Sequence, residues 1–207
     1  HEDHIGAVAW LWPQLECAVY CTAFAGELLK LKLQEHGLDQ QVNLTIVEPG
    51  KPFQVGDFTL ELLDLTHSIP QSNALCIETA VGRVLHSGDW KIDRTPILGK
   101  PFSEARFVEL GAKGVDVLVC DSTNVLREGL SPSEKDVAAT LTEIIAHATG
   151  RVAVTTFAWH VERIVSAVRS ARAAGREVVL AGRAMRNTIE AARTCRLLTD
   201  VGAFLDE

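Results

Sequence analysis

The sequence predicts an α/β fold in two regimes, an α+β sandwich-type region followed by alternating strands and helices. Three observations predict it. First, short apolar segments separated by turn signals run through the first half, with Gly56-Asp57 and Val81-Gly82 as hairpin turns. Second, Val115 to Cys120 is a nearly continuous apolar run, the pattern of a strand buried on both faces. Third, strands and helices alternate beyond it, which implies βαβ units and a parallel sheet. The change of regime falls near Thr123 to Ser131.

The elements follow in order. Ile5 to Leu11 is short and apolar and reads as a helix, with Asp3 well placed against its dipole. Ala18 to Cys21 reads as a strand. Ala23 to His36 reads as a helix, with Leu28, Leu29, Leu31 and Leu33 in its middle and Gly37 as its stop. Val42 to Val47 alternates like a strand, and Pro49-Gly50-Lys51-Pro52 is a turn. Phe53 to Leu65 reads as two strands around Gly56-Asp57. Ala74 to Thr79 and Arg83 to Leu85 form a second hairpin around Val81-Gly82. Ser131-Pro132-Ser133-Glu134 is a capping-box pattern opening a helix to about Ala148. Strands at Val152 to Thr156 and Glu177 to Ala181 then alternate with helices at Val161 to Ala174 and Asn187 to Leu198.

Composition narrows the class. With 207 residues and 47% hydrophobic side chains, the chain can bury a substantial core. No apolar run is long enough to span a bilayer, and no signal peptide is recognisable, so a soluble cytoplasmic protein is expected. The chain starts at His1 rather than Met, and an upstream segment is expected. The five cysteines form no C-x-x-C pair and read as reduced thiols of a cytosolic protein. A net charge of −7 does not advertise nucleic-acid binding, although basic charge can be local.

His1-Glu2-Asp3-His4 places two imidazoles and a carboxylate within one turn of backbone. These are ligand types that Zn²⁺ and similar ions accept. His67, in Leu65-Thr66-His67-Ser68-Ile69-Pro70, and Asp89, in His86-Ser87-Gly88-Asp89-Trp90, each lie where an apolar run meets a turn. Such a set suits a hydrolytic metal site assembled from strand ends. A pair of ions about 3.5–4 Å apart can hold a hydroxide and clamp both oxygens of a phosphodiester displacement. Taken singly, a lone His is more often a core or surface residue, and a Gly-Asp is usually a turn.

His1-Glu2-Asp3-His4-Ile5-Gly6-Ala7 resembles the second part of the H-x-H-x-D-H motif of the metallo-β-lactamase superfamily. Thr66-His67-Ser68-Ile69-Pro70, Ser87-Gly88-Asp89-Trp90-Lys91 and Cys120-Asp121-Ser122-Thr123-Asn124 resemble successive motifs of its nucleic-acid-processing branch. Thr155-Thr156-Phe157-Ala158 and Gly182-Arg183-Ala184-Met185 resemble the β-CASP domain inserted in that branch. Within it the chain is most similar to the ribonuclease J family. The resemblance implies a metallo-β-lactamase αββα core, in part, over 1–124 and part of a Rossmann-like β-CASP domain over 125–207. It implies a metal-dependent ribonuclease that hydrolyses RNA phosphodiester bonds with a two-metal-activated water, as a 5′–3′ exonuclease, an endonuclease or both.

The family's roles fall on residues of this chain. His1 and His67 are implied to bind a first metal, Asp3 and His4 a second, and Asp89 to bridge them. Asp3 also helps to hold the attacking water, which makes Asp3 and Asp89 the catalytic pair. Asp121 is implied to orient a ligand histidine from outside the coordination shell; the alternative is a strand-end Asp opening an Asx-turn with Thr123. The ions are expected to be zinc, with manganese as the alternative. The partner is expected to be RNA, with no membrane association, and the full-length protein to be a homo-oligomer. The family's first motif histidine would lie two residues before His1, and its last metal histidine and RNA-phosphate motifs after the inserted domain. Residues 1–207 alone are therefore expected to be inactive. The competing readings are a non-catalytic subunit of the same fold and another hydrolase of that fold; every ligand position covered is filled, which favours an active parent.

Other polar residues carry weaker expectations. His36 and His147 suit helix C-termini. His86 reads as a buried strand histidine or a support for the site. Lys91 reads as a solvated loop lysine or a phosphate contact. Arg183 and Arg186 flank a turn suited to RNA backbone. Arg163, Arg169, Arg172 and Arg176 read as a solvated helix face, and Trp159-His160 stands where relatives carry small polar residues.

Overall fold

The computed structural model describes residues 1–198 and 200–206. It is a mixed α/β structure of two compact units, one formed by His1–Val47 with Leu141–Glu207 and the other by Glu48–Thr140. Among the described residues no helix is long and apolar enough to cross a membrane.

The first unit opens with α1 (Glu2–Ile5) and α2 (Val8–Leu15), then β1 (Val19–Cys21), α3 (Ala23–Glu35) and β2 (Leu44–Ile46). The single helix expected over Ile5 to Leu11 is thus two, broken at Gly6-Ala7. Strands β1 and β2 pair in parallel, Val19 opposite Leu44 and Cys21 opposite Ile46, with α3 as the crossover. Ala9, Leu33 and Val42 are buried together, with Trp12, Val19, Leu38 and Leu44 against them. Gly26 of α3 lies where a Cβ would come within 2.7 Å of Ile46 Cδ1, so the glycine permits the close approach of helix and strand.

The same unit holds α6 (Val161–Ala173) and α7 (Arg183–Thr194), and α7 packs against both α3 and α6. Val161, Ile164, Val165 and Val168 repeat at helical spacing and are buried, as are Ile189 and Ala192 of α7. Two expected strands are corrected. Val152 to Thr156 forms no ladder, and Glu177 to Ala181 contributes only one bridge, Val179 with Leu205. Beyond His147 the described residues therefore form no strand ladder, because an apolar run records burial but not a pairing partner. Helix α7 also starts earlier than the expected Asn187, after Gly182 at φ +105°, and ends before Arg196 at φ +56°.

The second unit is built on a five-stranded sheet in the order β3 (Phe53–Val55), β4 (Phe58–Asp64), β5 (Asn73–Thr79), β6 (Gly82–His86) and β7 (Val117–Val119). The first four run antiparallel, and β7 is parallel to β6. The first hairpin closes on the expected Gly56-Asp57 turn, with Val55 opposite Phe58, and the second on Ala80-Val81, one residue before the expected Val81-Gly82, with Thr79 opposite Gly82. An additional helix, α4 (Ala105–Lys113), makes the crossover from β6 to β7. Its Leu110 and Phe107 cover Leu63, Ala74, Cys76 and Leu85, which share one sheet face. On that face Arg106 meets the buried Glu61 carboxylate through two nitrogens, Nε to Oε1 at 3.0 Å and Nη2 to Oε2 at 2.5 Å. Strand β7 corrects an expectation: Val117, Leu118 and Val119 are 49%, 60% and 45% exposed rather than buried on both faces. It is an edge strand with one partner.

Helix α5 (Glu134–His147) begins in the second unit. Its capping box starts two residues later than expected, at Ser133 rather than Ser131. The Ser133 hydroxyl accepts the Lys135 N–H at 3.1 Å, and the Asp136 carboxylate accepts the Ser133 N–H at 3.3 Å.

Candidate metal centre

Strand direction decides where the candidate ligands of the second unit lie. Two successive antiparallel pairings make β4 parallel to β6, and β7 is parallel to β6. The C-terminal ends of β4, β6 and β7 therefore share one sheet edge. Thr66-His67 leaves β4 there, Ser87-Gly88-Asp89 leaves β6 and Cys120-Asp121 leaves β7.

Hydrogen bonds bind these three exits together. The Ser87 N–H donates to the Val119 carbonyl at 2.8 Å, extending the ladder past the strand ends. The Ser87 hydroxyl accepts the Asp121 N–H at 2.9 Å and donates to the Gly88 carbonyl at 2.7 Å. Trp90 Nε1 donates to the Asp121 carbonyl at 3.2 Å. Ser72 Oγ donates to the Asp89 carbonyl at 3.4 Å. Gly88 has φ +59°, and a Cβ there would sit 3.1 Å from the Asn73 carbonyl oxygen, so the turn that aims Asp89 is built for glycine. His86 Nδ1 accepts the Gly88 N–H at 3.0 Å, which places the proton of a neutral His86 ring on Nε2. His86 is exposed, not buried as a strand histidine would be.

His67 and Asp89 are both partly buried, and Ser68 Oγ lies 3.2 Å from His67 Nδ1. Asp121 opens an Asx-turn: its Oδ1 accepts the Thr123 hydroxyl at 2.6 Å and the Thr123 N–H at 2.9 Å. Those Thr123 bonds, the hydroxyl's first, hold the Asp121 carboxyl below the usual carboxylate range, against a smaller upward push from desolvation and the Asp89 charge. Of the two roles weighed for Asp121, the turn is the one these bonds describe.

In the first unit His1 precedes α1 and Asp3 and His4 lie within it. The His1 and His4 rings are 6.3 Å apart, and His4 Nε2 lies 3.6 Å from Asp3 Oδ2. Glu2, between them, is turned away to pair with Lys32 at 2.5 Å. Within each unit, taken by itself, the candidate donors are imidazole nitrogens and carboxylate oxygens. This is the chemistry that suits zinc or manganese and not a soft ion that prefers thiolates.

Four residues that composition did not single out shape the edge: Thr66, Ser87, Asp93 and Glu134. Thr66 and Ser87 show in the sequence only as neighbours of His67 and Asp89, Glu134 only as part of a capping-box pattern, and Asp93 only as an Asp-x-Thr turn. Lys91 is not a solvated loop lysine; its Nζ lies 3.0 Å from Glu134 Oε1 and 3.6 Å from Asp93 Oδ2. Arg183 pairs with Glu35 at 3.3 Å. Of the arginines expected on a solvated face, Arg169 is exposed and pairs with Asp200 at the surface, while Arg172 lies over Phe204 and Arg176 caps the Ala148 and Gly150 carbonyls. His160 caps α6 by accepting the Arg163 N–H at Nδ1, 3.3 Å away.

Comparison with known proteins adds the family context. Residues 149–206 match the family model described as Ribonuclease J, beta-CASP domain. The whole chain is 46% identical to a protein named Ribonuclease J from Sinorhizobium meliloti and covers 37% of it. Ribonuclease J from Thermus thermophilus is 42% identical over 89% of this chain and 34% of its own length. Ribonuclease J from Synechocystis sp. is 42% identical over 93% of this chain and 30% of its own length. The chain thus spans about a third of the length of the curated relatives it matches. A crystal structure of a protein of unknown function from Enterococcus faecalis V583 matches with a TM-score of 0.60, 16% identity, and coverage of 84% of this chain and 43% of that one. That likeness concerns the fold alone.

Proposed function

From a chain that is ribonuclease J-like along its whole length, we propose that the protein carrying it is a metal-dependent ribonuclease. It hydrolyses RNA phosphodiester bonds by 5′–3′ exonucleolytic cleavage, endonucleolytic cleavage or both. His1 and His67 hold one divalent ion, Asp3 and His4 hold the other, and Asp89 is shared between them. Zinc is the first choice of ion and manganese the second.

The observation that carries the reading is the common sheet edge at which the segments bearing His67, Asp89 and Asp121 leave β4, β6 and β7. Residues that are remote in sequence are delivered to one place by strands, which hold a ligand more rigidly than loops alone do. The chemistry that a two-metal centre supplies is a water activated near neutral pH and neutralisation of charge on the phosphodiester oxygens. The protein's own groups do the rest. Asp3, an exposed carboxylate, orients the attacking water by accepting a hydrogen bond from it. Asp89 is aimed by the Gly88 turn and the Ser72 bond. Asp121 keeps the β7 exit locked to the β6 exit through Ser87 and Trp90.

The test is Asp89→Ala in the full-length protein, assayed on a 5′-monophosphorylated RNA. Losing a shared carboxylate removes a ligand from both ions, so cleavage should vanish, while a partly buried loop Asp costs little stability. Chelation of metal should abolish wild-type cleavage as well. Wild-type rates in the folded variant would mean that Asp89 is only a turn residue.

A further inference from the structure

Thr66 adjoins His67 in the chain and is bonded to the segment that follows Asp89, yet it has no assigned part in the site. Its backbone forms an antiparallel bridge with Lys91, whose N–H donates to the Thr66 carbonyl at 2.9 Å. Its hydroxyl makes two further bonds to the same segment. It donates to the Lys91 carbonyl and accepts the Asp93 N–H at 3.0 Å. Thr66 is 9% exposed and Asp93 3%. One side-chain atom must act as donor and acceptor at a buried point, which only a hydroxyl does in so small a volume.

The bond pattern fixes more than a loop. Thr66 is the neighbour of His67, and Lys91 lies two residues beyond Asp89. The Thr66 hydroxyl therefore ties the backbone carrying one candidate ligand to the backbone carrying the other. The far side of the tie is anchored in turn. Asp93 Oδ2 accepts the Glu134 N–H at 2.8 Å, its Oδ1 accepts the Thr95 N–H at 2.9 Å, and its carbonyl accepts the Phe102 N–H at 3.1 Å. Lys91 Nζ lies 3.0 Å from Glu134 Oε1, and Glu134 is 4% exposed. A segment clamped at so many buried points cannot easily shift to accept a change at Thr66.

We propose that Thr66 is a positioning residue that sets the spacing of His67 and Asp89 for metal binding through its hydroxyl clasp on Lys91 and Asp93. The inference rests on the reading of His67 and Asp89 as metal ligands. Outer groups that orient metal ligands commonly govern about 10–100-fold in metal affinity, and a clasp on ligand backbones falls in the same class. Coupling is reciprocal: if the clasp favours metal binding, metal binding strengthens the clasp.

The experiment measures zinc affinity of the full-length protein by competition with a chromogenic chelator, together with thermal stability. Thr66→Val should weaken zinc binding about 10–100-fold, and Thr66→Ser, which restores the hydroxyl, should return it to within about two-fold of wild type. Leu110→Ala, a buried change in the sheet core, should lower the melting temperature and leave zinc affinity unaltered. Asp89→Ala separates the two claims: if it binds zinc as wild type does, the metal reading itself fails. If Asp89→Ala loses zinc while folded Thr66→Val keeps it, the clasp has no positioning role. Equal losses in Thr66→Val and Leu110→Ala, or a loss in Thr66→Ser, would also overturn the proposal. A measurement on wild type decides the matter if Thr66→Val does not fold: zinc should slow hydrogen exchange at the Asp93 amide, and exchange indifferent to zinc would overturn it.

Discussion

Gly88→Ala isolates how tightly the turn before Asp89 is pressed against the sheet. Two costs arise at Gly88. Its φ of +59° lies in the left-handed region, where an L side chain costs about 1–2 kcal/mol. The new Cβ would also sit 3.1 Å from the Asn73 carbonyl oxygen. Asn73 pairs with Asp64 at the start of β5, so that carbonyl cannot swing aside freely. Crowding of this kind costs about 1–3 kcal/mol more. Gly56 supplies the reference. It has φ +57° in the β3–β4 turn, and nothing lies within 4 Å of its would-be Cβ. The entropy that alanine removes from the unfolded chain is the same at both sites and cancels. Gly56→Ala should therefore cost only the backbone term, and Gly88→Ala should exceed it by the crowding term. Urea unfolding of both variants, followed by the fluorescence of Trp90 and the other tryptophans, gives the difference directly. Equal losses at the two glycines would refute the close approach of the Asp89 turn to β5.

Other perturbations follow from the same structure. Leu110→Ala removes a side chain 1% exposed beneath the second unit's sheet and should cost about 2–5 kcal/mol in urea unfolding. Ser133→Ala removes half of the capping box and a 2.9 Å bond to the Thr95 carbonyl, and should cost about 0.5–2 kcal/mol, read as a lower melting temperature. Asp121 has a depressed carboxyl pKa, caused first by the Thr123 hydroxyl and then by the Thr123 amide. Its stabilisation is therefore full above the unfolded value of about 3.9 and is lost as pH falls through the lower folded value. Melting curves of Asp121→Asn taken from neutral pH into the acid range should show a shallower acid loss than wild type, and identical slopes would contradict the Asx-turn as its cause.

Much of this architecture is legible in the chain, for a physical reason. The hairpins β3–β4 and β5–β6 are local, and their short turns at Gly56-Asp57 and Ala80-Val81 join alternating segments, so residue pattern and pairing coincide. Helix α3 is legible because Leu28, Leu29 and Leu33 repeat at helical spacing and His36-Gly37 ends it. Helix α4 is not, since Glu104 offers no side-chain cap and Gly111 interrupts it; only Phe107 and Leu110 mark its buried face. Strand β7 shows the limit of an apolar run, whose residues state a preference for burial but not a position in the sheet. The candidate ligands His67 and Asp89 are legible as His and Asp at strand ends. The clasp that surrounds them is not, because Thr66 and Asp93 lie 27 residues apart and meet only through the order of β4, β5 and β6. Lys91 misleads for a similar reason, since its acidic partner Glu134 is 43 residues away.

Which atoms hold the metal is the most direct question to put to this protein. An anomalous difference map of the full-length protein crystallised with zinc, recorded at the zinc absorption edge, locates the ions without reference to activity. Peaks are expected about 2.0–2.2 Å from a ring nitrogen of His67 and a carboxylate oxygen of Asp89. Well-ordered zinc elsewhere, with both side chains outside coordination distance, would contradict this expectation.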